Sequence, residues 1–198
     1  MIKRFRPSMA AALLIAPAAI LWSAPAANLV LQSESRIWVT GTSTVRGYEC
    51  AAGVVNATVA AAAGAEAALL AGQKAVTAVT VTIPSAELDC DNGTMNEHMH
   101  KAINVSEHEQ IRFRLASYEL TPGAAATTAR LTGTLELNGV SKQISLDANV
   151  SDAGGAVKVS GTHQLLMSEY GVRPPRLMLG TLKVHDPVVV HFDLLLKS

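Results

Sequence analysis

Residues 129–150 read ARLTGTLELNGVSKQISLDANV. Leu131, Leu135 and Leu137 fall on one face of an extended chain, with Gly133 between them; Arg130, Thr132, Thr134 and Glu136 fall on the other. Beyond Asn138-Gly139 the alternation resumes, with Val140, Ile144, Leu146, Ala148 and Val150 set against Ser141, Gln143, Ser145, Asp147 and Asn149. A period of two with one apolar face is the pattern of a half-buried antiparallel strand. Asn-Gly is the pair that best tolerates the positive φ angles of a type I′ turn. The stretch therefore predicts a β-hairpin.

Outward from it, the same alternation predicts further strands. Ile111, Phe113 and Leu115 begin one that reaches Thr121, and Pro122-Gly123 turns it into the hairpin. On the other side Val157, Val159, Gly161, His163, Leu165 and Met167 share a strand face, and Val188, Val190, Phe192, Leu194 and Leu196 share the last. Upstream, residues 75–83 (AVTAVTVTI) are β-branched at nearly every position, which favours a strand. Residues 54–61 make a weaker one, and residues 35–47 read as one long Thr-rich strand with a bulge or bend at Gly41. Residues 62–72 are Ala-rich between Gly64 and Gly72 and read as a loop with a helical turn. Asn28 opens a polar lead. Thr94 with Glu97 has capping-box spacing, predicting a helix from Met95 to about Asn104 with Met95, Met99 and Ala102 or Ile103 on one face. Residues 170–180 hold Gly171, Pro174 and Pro175 and predict a loop. The expected fold is all-β: about eight antiparallel strands joined by hairpins in a barrel, with a short helical insertion.

Residues 1–26 have a different character. Lys3, Arg4 and Arg6 precede an apolar run from Met9 to Trp22, and Ala24-Pro25-Ala26 supplies the small residues of a cleavage site. This is the three-part pattern of a secretory signal peptide. The expected mature domain, 27–198, then carries 13 Lys and Arg against 16 Asp and Glu. No basic stripe remains to favour nucleic acid. No second apolar segment reaches spanning length, so no stable membrane anchor is expected. The predicted location is the periplasm or the exterior. There, the only two cysteines, Cys50 and Cys90, most simply form a disulfide.

At this point several motifs resemble the YceI family of exported, lipocalin-like, polyisoprenoid-binding barrels. Gly133, Leu135, Gly139, Val140 and Lys142 are similar to its Gly-x-Leu strand and Gly-Val-x-Lys turn, and Thr42-Ser43 stand at its His-Ser pair. Residues 95–113 (MNEHMHKAINVSEHEQIRF) resemble its helix leading into an Ile-x-Phe strand, and residues 169–172 (EYGV) its aromatic-Gly loop. Thr42, Gln110 and Met167 with Ser168 depart from the family's usual His, Pro and basic residues. The resemblance implies a barrel holding a long isoprenoid, quinone or other amphiphilic lipid.

The candidate lining residues are the apolar faces of the strands: Val81, Ile111, Phe113, Leu135, Leu146, Val159, Leu165, Val190 and Phe192. Ser43 and Arg46 are candidates for the headgroup. An eight-stranded barrel either fills its interior or holds one small ligand, and composition alone leaves both open. Small residues (Gly133, Ala148, Gly161) and few rings fit the hollow alternative.

Other chemistry has less behind it. His98, His100 and His108 beside Met95 and Met99 suggest copper. However, His98 and His100 stand ~200° apart on a helix and do not chelate together. No G-x-S-x-G nucleophile motif accompanies Ser43 and Asp186, and Glu34, Glu49, Glu87 and Asp89 are scattered. Neither an enzyme nor a resident metal or cofactor is expected. A ligand-free envelope protein and a His/Met metal binder stay as alternatives, with a homodimer left open.

Overall fold

The fold is described from a computed structural model covering residues 26–124, 126–177 and 181–198; nearly all of the expected signal segment, 1–26, lies outside the described residues. The hairpin is formed as its sequence predicts. Strand β8 (Thr127–Leu137) pairs with β9 (Val140–Asp152), with Leu137 opposite Val140. Asn138 and Gly139 both have positive φ, 51° and 73°, as a type I′ turn requires. The remaining β-segments are β1 (Ala26–Leu31), β2 (Arg36–Ser43), β3 (Gly47–Ala52), β4 (Asn56–Ala62), β5 (Val76–Pro84), β6 (Leu88–Asp89), β7 (Gln110–Thr121), β10 (Val157–Leu166), β11 (Arg176–Leu177) and β12 (Leu182–Lys197). Two helices accompany them, α1 (Ala65–Leu70) and α2 (Gly93–Ala102).

All of these β-segments except β11, which pairs only with β12, occupy eight positions in a closed antiparallel barrel. β1 with β2, β3 with β4, and β5 with β6 each share one position, interrupted at 32–35, at 53–55 and by the 3-10 turn Ser85–Glu87. β12, at 16 residues, closes the ring. One edge of it pairs with β10. Its other edge pairs first with β2 and then, at Leu196 and Lys197, with β1. Closure pairs each of the long strands on both sides over part of its length, which limits the usual route to strand-to-strand aggregation.

Four expectations are corrected. The polar lead at Asn28 is strand β1, paired to β4 from Ala26↔Ala62 to Leu29↔Val59. Residues 35–47 are not one strand, because the chain turns after Ser43 and returns as β3. Gly41 is no bulge; it pairs in register with Tyr48 on one side and Val188 on the other. The irregularity falls instead on β12 between Val184 and Val188, where Pro187 has no N–H to give the ladder. Finally, α2 is capped by Asn92 rather than Thr94, the Asn92 Oδ1 accepting from Met95 N at 3.0 Å.

Two apolar clusters sit at opposite ends of the barrel. One gathers Leu29, Val59, Ala129, Val150, Val157 and Leu196 around Ala65 and Leu69 of α1. These two α1 residues are four apart, so they share one helix face and plug that end. The other gathers Ile103, Leu165, Tyr170, Val172 and Val188 beneath the end of α2. Cys50 and Cys90 form a disulfide, fastening β3 to the segment that leads into α2.

Candidate ligand cavity

Between the two clusters runs a cavity of about 590 Å³ with almost wholly apolar walls. It extends from Leu69 on α1 to a rim made by the β2–β3 turn (Ser43, Val45, Arg46), the start of α2 (Asn92, Thr94, Met95, His98) and the β11–β12 region (Pro175, Leu182, Val184).

The distribution of rings explains why the interior is not filled. Phe, Trp and Tyr make up only 4% of the chain. Three of these rings lie against the wall, each over a glycine on the neighbouring strand. Tyr48 covers Gly41, Phe113 covers Gly133, and Phe192 covers Gly161; a Cβ at any of these glycines would overlap the ring. Gly41–Tyr48 and Gly161–Phe192 are direct cross-strand partners. A ring lying along the sheet occupies the space that a side chain on the neighbouring strand would take, and leaves the centre of the barrel open. The glycines thus serve the rings, and Gly133 and Gly161 do not themselves line the cavity.

The structure places Val81, Ile111, Phe113, Leu135, Leu146, Val159, Leu165, Val190 and Phe192 all on the cavity wall. They come from six strands, β5, β7, β8, β9, β10 and β12, which the closed topology brings round one axis. Of the two headgroup candidates, Ser43 is occupied locally. Its Oγ donates to the Arg46 carbonyl at 2.8 Å and accepts from Val45 N and Arg46 N at 3.3 and 3.1 Å. One donor and two acceptors are all a hydroxyl has. Arg46 stands at the rim, exposed, with no ion pair among the described residues.

Tyr48 and Leu69 line the cavity without having been singled out from sequence, and His98, weighed there only as a metal ligand, lines it too. Tyr48 lies just past the single strand expected over 35–47, on β3, which that reading did not contain. The Ala65–Leu69 spacing was the available signal for α1. Met95, Met99, Ala102 and Ile103 all face the cavity from α2, as their helical spacing allows. The other polar candidates are dispersed. The His100 Nε2 lies 2.9 Å from the Leu88 carbonyl oxygen, and Asp186 accepts from both N and Oγ of Ser168. Among the described residues no three His, Cys, Asp or Glu are grouped to hold a metal ion. No described helix is long and apolar enough to cross a membrane.

A closed, up-and-down barrel with an apolar interior and a rim of turns and one helix is the lipocalin-like class of architecture. Comparison with known proteins is specific to a family: residues 30–196 match the model of the YceI-like domain, and the chain belongs to that family. BcnA of Burkholderia cenocepacia is similar in structure, with TM-score 0.66 and 18% identity over 82% of this chain and 96% of that one. A polyisoprenoid-binding domain from Saccharophagus degradans, implicated in plant cell wall breakdown, has TM-score 0.62 and 14% identity over 86% and 97%. The YceI protein of Campylobacter jejuni has TM-score 0.57 and 18% identity over 74% and 82%. No curated protein matches the chain.

Proposed function

We propose that this protein is an exported carrier or scavenger that holds one long-chain amphiphile, a polyisoprenoid, quinone or similar lipid, inside the barrel. The observation that carries this reading is the apolar cavity of about 590 Å³. Small-molecule sites are mostly apolar clefts of roughly 300–1,000 Å³, and this cavity falls in that range. Apolar volume left unfilled lowers stability, so a hollow interior is better explained by an occupant than by packing. An apolar chain entering the cavity recovers about 25 cal/mol for each Å² it removes from water.

The nine wall residues bind the chain by burial, and Arg46, Asn92, Thr94 and His98 at the rim meet the polar end. The fold shared with the Saccharophagus polyisoprenoid-binding domain supports the choice of ligand class. The Cys50–Cys90 disulfide and the signal-like residues 1–26 support export. Binding rather than catalysis is favoured by walls that offer a ligand dispersion contacts and almost no reactive groups.

Native mass spectrometry of gently purified protein, before and after organic extraction, tests the reading. A lipid-sized mass increment, lost on extraction and restored by added farnesol or decylubiquinone, is expected. The bare polypeptide mass with no uptake of either compound would overturn it.

A further inference from the structure

One side chain on the inner wall is out of keeping with its surroundings. His163 lies on β10 between Gly161 and Leu165, on the inward face, and lines the cavity. Across the strands it sits in a row with Val190 of β12 and Val39 of β2. Among the described residues its ring has no hydrogen bond, ion pair or ring contact. Other histidines of the molecule are engaged: His191 with Thr40 at 2.9 Å and stacked on Trp38, and His185 with Thr42 at 2.8 Å. The β9–β10 ladder ends at Gly161↔Ala148, so no residue of β9 pairs with His163.

A polar group in apolar surroundings without a partner costs stability, and Val or Leu at this position would avoid that cost. Burial also pushes the imidazole below the ordinary histidine range. The other titratable groups on the cavity wall are Arg46, Tyr48, His98 and Tyr118, and no carboxylate lines it to hold an imidazolium. At neutral pH His163 is therefore a neutral ring, with one N–H to donate and one lone pair to accept. That pair suits a neutral oxygen and gives no charge to balance an anion.

We propose that His163 is a specificity residue inside the cavity. Its imidazole hydrogen-bonds a hydroxyl or carbonyl oxygen of the bound lipid at the level of the Val39–Val190 row, and so selects oxygen-bearing lipids over plain hydrocarbons. This rests on the lipid-binding reading above.

Phytol and phytane share a branched C20 skeleton and differ in a hydroxyl and one double bond, so competition between them in native mass spectrometry tests the assignment. Delipidated wild type should prefer phytol about two- to tenfold, the net value of one neutral hydrogen bond. His163→Leu should take up phytane as wild type does and lose the preference. His163→Gln, which keeps a donor and an acceptor, should retain part of it. In wild type the ¹⁵N resonances of the His163 ring should shift with phytol and stay in place with phytane. An undiminished phytol preference in His163→Leu, or ring resonances indifferent to phytol, would overturn the anchor and leave the lipid-binding barrel standing. Failure of wild type to take up either lipid would overturn both.

Discussion

The hydroxyl of Tyr118 does for Val76 what backbone pairing does elsewhere in the barrel. Its Oη accepts from Val76 N at 2.9 Å and from Ala75 N at 3.0 Å, and donates to the Val76 carbonyl at 3.2 Å. The β5–β7 ladder stops at Thr80↔Arg114, and β7 is irregular between Leu115 and Ser117. One side chain thus closes the seam. Tyr118→Phe leaves the ring and removes the oxygen, so two half-buried N–H groups lose their acceptor. A loss of about 1–3 kcal/mol is expected, read from the urea midpoint, with faster hydrogen exchange at Ala75 and Val76.

The hairpin turn makes a second prediction. Gly139 has φ of 73°, and a Cβ there would lie 2.5 Å from His108 Cε1. Gly139→Val meets both a backbone conformation that β-branched residues resist and a collision. It should destabilise by at least about 1 kcal/mol. An unchanged denaturation midpoint would mean that His108 and the turn both relax freely.

The disulfide joins residues 40 apart in sequence. On the chain-entropy model a loop of that length is worth about 4 kcal/mol. The double variant Cys50→Ser, Cys90→Ser should lower the unfolding free energy toward that extent. Thiol labelling of wild type without reductant should find no free cysteine.

Cavity occupancy should respond to volume. Leu146 lines the wall on β9 and has open space before it. Leu146→Trp fills part of that space and should reduce lipid uptake in native mass spectrometry while the protein keeps its fold by circular dichroism. Gly133→Leu is not an equivalent probe, because its side chain would meet the Phe113 ring and the Arg114 carbonyl before reaching the cavity.

Acid sensitivity should have two stages. His163 is held low by burial, so the unfolded chain takes up its proton first. Its contribution to stability is complete above the ordinary histidine value of about 6.5 and falls as the pH drops below it toward the folded value. His163→Leu should flatten that part of the profile in urea titrations from pH 7.5 to 5.5. Asp89 is held low by the Asn96 side chain and Glu66 by the backbone N–H of Ser198. Their contributions are present above the ordinary carboxylate range and are lost only at lower pH, so the two stages separate.

The parts of this fold that were legible in the sequence are those that depend on neighbours along the chain. Alternation in β8 and β9 follows from the two-residue period of a strand, and the Asn138-Gly139 turn from the φ angles each residue tolerates. The Met95–Met99 face follows from the helical repeat. Those local rules also placed nine wall residues on inward faces, since a barrel turns every apolar strand face to one axis. What the tertiary structure alone decided involves residues distant in the chain. β1 is a strand because Leu29 meets Val59, and β12 closes the ring because Val190 lies between Val39 and His163. The break between β2 and β3 places Tyr48 over Gly41, and no local period records that pairing. Whether the interior is full or hollow turns on where three rings lie. That is a matter of packing across strands, and composition alone is the same in both cases.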